Sequence, residues 1–274
     1  MIIQSMKGLG DNILQRAFVK STSQPVYLDT PWPELYSDLQ NVHFTKPSTM
    51  LRTQHKNICR QHIQWESIPV GHAMKRISYG NQGMFHGMRQ AFGFDPVKMD
   101  LPDFGVSLYD SPYVVVRPVT VRSEWRADSR NPKIGYVTKV AELAKQLGYL
   151  VISVADLEDG KEWALEIPPS DIQFHRGELT VSQLLNLTQN ASALIGGIGW
   201  IVPASMAQNV PAFIVCGGQG QYNHPSKITD SLQQHRITFA MPDKFCMCAT
   251  AQHDCNKEIS NFDELVNKFF EEIK

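Results

Sequence analysis

No stretch of this 274-residue chain approaches the ~20 consecutive apolar residues that cross a bilayer. The opening MIIQSMKGLGD lacks the basic start and apolar core of a signal peptide, so the expectation is a cytoplasmic protein with no transmembrane segment. An excess of charge of one sign is also missing: 26 Lys and Arg stand against 27 Asp and Glu. No global field therefore draws nucleic acid or an anionic membrane, although local basic patches stay open. Cysteine is sparse, five residues at 59, 216, 246, 248 and 255, and an odd, uneven set argues against a secreted disulfide framework. There is no D-x-D pair to hold a metal on a diphosphate, no G-x-S-x-G elbow and no Walker A loop, which removes three common routes to transfer and hydrolysis.

What is present is alternation. YVVVRPV at 113–119, YLVISVAD at 149–156, ASALIGG at 191–197 and PAFIVCGG at 211–218 are short apolar runs bounded by turn formers, the pattern of buried parallel strands. Between them, 135–148 places Val137, Val140, Ala141, Ala144 and Leu147 at helical spacing, and 180–191 offers Thr180 or Ser182 as a helix cap. The N-terminal part has its own βαβ beginning: MIIQSM as a strand, DNILQRAFVKS as a helix with Ile13, Leu14, Ala17 and Phe18 inward, and PVYLDT at 25–30 as a second strand. Turn chemistry at 99–112 marks a boundary. The expected fold is α/β, with two Rossmann-like domains facing across a cleft: residues 1–105, residues 106–260, and an amphipathic helix over 261–274 packing back toward the first domain.

Three segments and one cluster could carry chemistry. In KGLGD, Gly8 and Gly10 let backbone N–H groups approach a phosphate or sugar, while Asp11 reads equally as a helix N-cap or as a functional carboxylate. The spacing is not G-x-G-x-x-G, so a nicotinamide site is a poor fit. Between a strand and a helix, 117–133 gathers Arg117, Arg122, Arg126, Arg130 and Lys133 against Glu124 and Asp128, a set suited to a nucleotide diphosphate or to a solvated surface loop. IGGIGW at 195–200 suits close ligand approach or close helix packing. In KFCMCATAQHDC, 244–255, three cysteines accompany His253. Their spacing fits no familiar zinc finger, and buried free thiols are the favoured reading over a metal site. His55, His62, His72 and His86 are scattered without ligand spacing.

In their order and spacing these segments resemble the heptosyltransferases of glycosyltransferase family 9, which have the two-domain GT-B fold. GLGDNILQRAFVK resembles the family's opening turn and helix. The stretch from VVVRPV to VISVAD resembles the first strand, phosphate loop and helix of its C-terminal domain, with RNP at 130–132 where a basic residue and Trp-Pro are usual. LLNLTQNASALIGGIGWIVPASMAQNVPAFIVCGG resembles the glycine-rich turn and small-residue helix, and CMCATAQHDCNKEISNFDELVNKFFEEI the cysteine-bearing tail. One departure stands out. The family's Asp-Ser/Thr-Gly-Pro and following His are replaced by Ile198, Gly199, Trp200 and Ile201, with Pro203 at the histidine's place.

The resemblance implies an inverting glycosyltransferase, independent of metal or other cofactor, that moves a sugar from a nucleotide-diphosphate sugar to a hydroxyl acceptor. Asp11 matches the family's proposed base. Donor contacts carry over to Gly8, Gly10, Thr120, Arg122, Arg126, Arg130, Gly197, Ile198 and Gly199, the last three through backbone. Alternatives are a non-catalytic nucleotide-sugar-binding protein, a GT-B-like epimerase or hydrolase, and a transferase acting on modified nucleic acid, for which Lys56, Arg60, Lys75, Arg76 and Arg89 could form a local groove.

Overall fold

The computed structural model describes residues 1–71, 74–80 and 82–274. The first half runs β1 (Ile2–Gln4), α1 (Leu9–Lys20), β2 (Val26–Asp29), β3 (Val42–Thr45), α2 (Arg52–Arg60), β4 (Met74–Arg76) and α3 (Met84–Phe92). Residues 93–112 carry no helix or strand. There follow β5 (Tyr113–Arg117), β6 (Thr120–Arg122), α4 (Tyr136–Gln146), β7 (Leu150–Val154), β8 (Glu162–Ala164), β9 (Ile172–Phe174), α5 (Val181–Gln189), β10 (Ala193–Gly197), α6 (Ile201–Gln208) and β11 (Ala212–Val215). Two single-turn helices, α7 (Gly220–Asn223) and α8 (Pro225–Ile228), precede β12 (Ile237–Ala240) and the closing α9 (Phe262–Ile273).

Two parallel sheets result. The first has the order β3-β2-β1-β4 and the second β12-β11-β10-β5-β7-β9. Numbering the second sheet's strands by their own sequence order gives 6-5-4-1-2-3, the doubly wound arrangement. Chain direction across that sheet reverses between β5 and β10, and in the first sheet between β1 and β4. At such points neighbouring loops diverge and leave a crevice beyond the strands' carboxyl ends, where ligands bind. The α/β fold with two Rossmann-like sheets is as the resemblance implies.

Burial explains the layering. On one face of the second sheet, Val114, Val116, Val151, Ala193, Ile195, Phe213 and Val215 meet α4 through Val137, Val140, Ala141 and Ala144. The same face receives α9, whose Phe262 and Phe269 pack edge-on to Phe213 with ring centroids 5.8 and 5.4 Å apart. Helix α9 thus covers the second sheet, a correction to the expectation that it returns to the first domain. Its aromatic stripe is complementary to a sheet face that α4 covers only in part, and each buried Phe is worth roughly 1.5–3 kcal/mol there.

The opposite face continues without a break into the first half of the chain. Leu194, Ile214, Ile201 and Val202 share one apolar cluster with Ile3, Ile13, Leu14, Ala17, Phe18 and Leu28. The join is the crossing of α1 and α6. A side chain on Gly10 would place its first carbon 3.0 Å from Trp200 Cα and 3.1 Å from Pro203 Cγ, so glycine sets this close approach. Thr180, not Ser182, caps α5: the Gln183 N–H donates to Thr180 Oγ1 at 3.2 Å, and the Thr180 N–H donates back to Gln183 Oε1 at 2.9 Å, a reciprocal capping box.

Candidate active site between the two sheets

Both crevices open into one cavity of about 650 Å3, within the size range of small-molecule sites. From the first sheet, the turn after β1 and the first turn of α1 contribute Gly8, Gly10 and Asp11, and the loop after β4 contributes Tyr79. From the second, the end of β5 supplies Arg117, the following arm Thr120, Arg122 and Arg130, and the turn after β10 Ile198, Gly199 and Trp200.

Asp11 is the third residue of α1, and the N-cap is Gly8. The cap reading of Asp11 is corrected accordingly: its carboxylate reaches back to the Gly8 backbone, as acids at this helix position do. Burial pushes the Asp11 pKa up to about 6, against the opposing effects of the Gly8 N–H, Tyr79 and the Arg130 charge. The Tyr79 hydroxyl faces this carboxylate without closing a bond of normal geometry, and it is buried with no partner among the described residues. Burial, then the adjacent Asp11, raises the Tyr79 pKa well above its ordinary value, so it stays a proton donor.

The cations differ in how far they are already neutralised. Arg122 Nε lies 2.7 Å from Glu162 Oε2, a carboxylate only 3% exposed. Among the described residues Arg117 has a single weak side-chain hydrogen bond, Nη2 to Thr120 Oγ1 at 3.4 Å, and burial lowers its pKa to about 10. Arg130 is likewise lowered, by burial and then by Arg122, and its Nε is buried without a hydrogen-bond partner among the described residues. Its guanidinium sits 5.7 Å from the centroid of Trp125. Two desolvated guanidiniums with spare donors form a ready anion site, because their forks match phosphate oxygens. The missing side chain at Gly199 makes room for Arg117, whose Nη1 lies 3.2 Å from where a β-carbon would stand.

Two expected donor residues are not brought to the cavity. Arg126 turns outward, 54% exposed, with Nε 2.8 Å from Asp128 Oδ2. Gly197 lies outside the lining, and a side chain there would meet Pro132 at 3.4 Å. Gly8, Gly10, Asp11, Thr120, Arg122, Arg130, Ile198 and Gly199 do line it. Pro203 packs on Gly10, so the altered turn serves the α1–α6 contact. Tyr79 was missed because β4 is three exposed residues with no periodic signal. Of the scattered histidines, His55, His62 and His86 are exposed and absent from the lining, and His72 lies outside the described residues. The conceived basic groove is largely spent: Lys56 bonds Asp156, Arg60 donates to the Gly177 and Leu179 carbonyls, Lys75 to the Ala91 carbonyl, and Arg89 pairs with Asp95 and Asp230.

Beside the cavity, the cysteines of 244–255 are free, as expected, but not buried. Cys246, Cys248 and Cys255 are only partly buried, and their sulfurs converge with His253 so that the four ligand atoms lie within 4.8 Å of one another. His253 Nδ1 is 3.4, 3.3 and 2.9 Å from the sulfurs of Cys246, Cys248 and Cys255.

No protein-family model matches the chain, and no curated protein sequence does. Solved structures do match in fold. The iron-containing dodecameric glycosyltransferase TibC from enterotoxigenic E. coli H10407 is 16% identical with a TM-score of 0.61, over 100% of this chain and 76% of that one. The E. coli ADP-heptose LPS heptosyltransferase II is 12% identical with a TM-score of 0.55, over 97% and 98%. E. coli heptosyltransferase WaaC, solved with ADP-2-deoxy-2-fluoro heptose, is 10% identical with a TM-score of 0.57, over 100% and 99%. The chain therefore has the two-sheet fold of the heptosyltransferases. Among the described residues no helix is long and apolar enough to cross a membrane.

Proposed function

We propose that this protein is an inverting glycosyltransferase that takes a sugar from a nucleotide-diphosphate donor to a hydroxyl acceptor. One observation carries the reading: a carboxylate with a pKa near 6 and a set of under-paired arginines face the same cavity from two separate switch points. Asp11 accepts the acceptor hydroxyl's proton as that oxygen attacks the anomeric carbon, and the bond from that carbon to the diphosphate breaks. A base with a pKa near the working pH combines a usable ionised fraction with real basicity. Arg117 and Arg130, with Arg122 behind them, neutralise the leaving diphosphate through the chain's own charges.

Support for the nucleotide-sugar class comes from the relatives of like fold, among them TibC solved with ADP-D-beta-D-heptose and WaaC solved with ADP and with the fluorinated ADP-heptose. Here Ile198 and Gly199 offer backbone only, so donor contacts at that turn come from N–H groups. The same reading divides the chain into an acceptor-side domain to residue 105 and a donor-side domain from residue 106. It also places the reaction in the cytoplasm.

The test is nucleoside diphosphate release from a panel of nucleotide sugars, ADP-heptose included, with and without acceptor hydroxyl compounds, followed by NMR assignment of the product's anomeric configuration. Acceptor-dependent release with inversion is expected. Donor binding with no release under any acceptor would leave a binding protein, and release without transfer a hydrolase.

A further inference from the structure

The loop that holds the cysteines is also the floor of the cavity's cationic side. The Ser129 N–H donates to the Ala251 carbonyl at 2.9 Å, and Ser129 Oγ donates to the Thr250 carbonyl at 2.8 Å. Ser129 is fully buried and is the middle residue of the 3-10 turn Asp128–Arg130. Lys257 Nζ donates to the Asp128 carbonyl at 3.3 Å. Ala251 itself lines the cavity. From the other side, a β-carbon on Gly218 would stand 2.9 Å from the Ser129 carbonyl oxygen and 3.4 Å from Cys255 Sγ, so the cysteine loop, the glycine turn after β11 and the Arg130 turn are packed in direct succession.

Left to itself, such a loop is a poor clamp. Residues 244–255 contain no helix or strand, and fixing each of them costs roughly 1–2 kcal/mol in backbone entropy. What they do contain is a Cys3His constellation at ligand spacing. A tetrahedral ion with Zn–S near ~2.3 Å and Zn–N near ~2.0 Å sets its ligand atoms about 3.5 Å apart; here His253 Nδ1 stands 2.9–3.4 Å from the three sulfurs and Cys246 Sγ 2.8 Å from Cys248 Sγ, so the four atoms already converge on one point and need only spread by a few tenths of an ångström to receive the ion. Three thiolates and one imidazole are soft donors that select thiophilic cations over magnesium or calcium, and four protein ligands fill the sphere, which is the mark of a structural site.

We propose that Cys246, Cys248, His253 and Cys255 bind one thiophilic divalent cation, zinc or ferrous iron, and that this centre fixes the turn carrying Arg130 into the cavity. The first half stands on the ligand geometry alone. The second rests on the diphosphate reading of the cavity. The metal acts by ordering the loop, so its loss weakens anion binding without removing any residue that touches the anion.

The experiment measures metal content by elemental mass spectrometry on full-length protein as purified, which also separates zinc from iron. It then follows amide hydrogen exchange at residues 128–131 and the binding of inorganic pyrophosphate, before and after chelation and metal return. Cys248→Ser and His253→Asn are compared with Cys59→Ser, whose thiol lies elsewhere and is exposed. Expected are about one ion per chain in the protein and in Cys59→Ser, its loss in the other two variants, faster exchange of the Ser129 amide on chelation, and about tenfold weaker pyrophosphate binding, reversed by metal. Because chelation starts from folded protein, a variant that fails to fold does not decide the matter. Absence of bound metal after reconstitution overturns the proposal. Bound metal with unchanged exchange at Ser129 overturns the coupling. If the intact protein binds no pyrophosphate, the diphosphate reading fails, and the metal content and Ser129 exchange still decide the centre.

Discussion

Arg52 donates from Nη1 to Asp156 Oδ1 at 2.8 Å, and through this pair α2 of the first half is bound to the loop after β7 in the second. The same guanidinium approaches Glu162 Oε2 at 3.2 Å, and its side chain is only 8% exposed. Glu162 in turn holds Arg122, so an ion-pair chain runs along the rim of the cavity from one sheet to the other.

Arg52→Ala leaves the buried Glu162 with Arg122 and Asp156 with Lys56 and the Thr53 hydroxyl. Removing one partner of a buried pair costs about 3–5 kcal/mol, and the partners that both carboxylates keep put the expected loss at the lower end. Chemical denaturation of the variant measures it. Arg52→Lys should recover less than half, since an ammonium cannot span both carboxylates.

Asp11→Asn should abolish transfer, by about 10²–10⁴-fold for a lost general base, while pyrophosphate affinity stays within about threefold. Stability should move the other way. The folded-state pKa of Asp11 is about 6 against 3.8 as its ordinary value, so between these values the native state holds the extra proton and stability falls as pH rises. Above pH 6 the full penalty applies, and asparagine removes it. Thermal unfolding at pH 7 should therefore show Asp11→Asn about 1–3 kcal/mol more stable, while at pH 4 the difference largely closes. A variant less stable at both pH values would mean that the carboxylate is retained for its bond to Gly8.

In the wild type the same titration should appear in the rate. Turnover is expected to rise with pH through about 6 and then level off, because only the ionised Asp11 accepts a proton. A pH profile of kcat/KM for the acceptor, which reports the groups of the free enzyme, checks this.

Arg130→Ala and Arg126→Ala should separate sharply. Arg130 faces the cavity with a spare Nε, and its loss should weaken diphosphate binding about 10–100-fold. Arg126 is exposed and paired with Asp128, so its loss should change affinity less than about twofold. Isothermal titration with the same diphosphate compares the two directly.

Gly10→Ala should destabilise by about 1–3 kcal/mol, because its methyl group meets Trp200 and Pro203 in a crossing with no slack. Loss of activity there without loss of stability would show that Gly10 is needed by a ligand instead of by α6.

Most of the second sheet is legible in the sequence because its strands are continuous apolar runs: Val114, Val115 and Val116 are fully buried in a row, and no other local structure suits such a run between turns. The first sheet is harder. β4 consists of Met74, Lys75 and Arg76, all exposed, and pairs with β1 only once β1 has a position. Tyr79 depends on that strand and was invisible for the same reason. Arg126 and Arg130 look alike in a charged loop, and only the 3-10 turn between them sends one outward and one in. The cysteines failed the usual finger spacing because a C-x-C step and an H-x-C step converge from opposite ends of one loop, a geometry that sequence separation does not encode.

Trp125 carries a last consequence. Its ring is 60% exposed, lies on the lining of the cavity and has the Arg130 guanidinium 5.7 Å from its centroid. Any anion that engages Arg130 must draw that charge from the indole or share it, and indole emission responds to both. The chain thus contains its own optical reporter of ligand arrival, and steady-state fluorescence with Trp125→Phe as the blank can follow binding without labels or turnover.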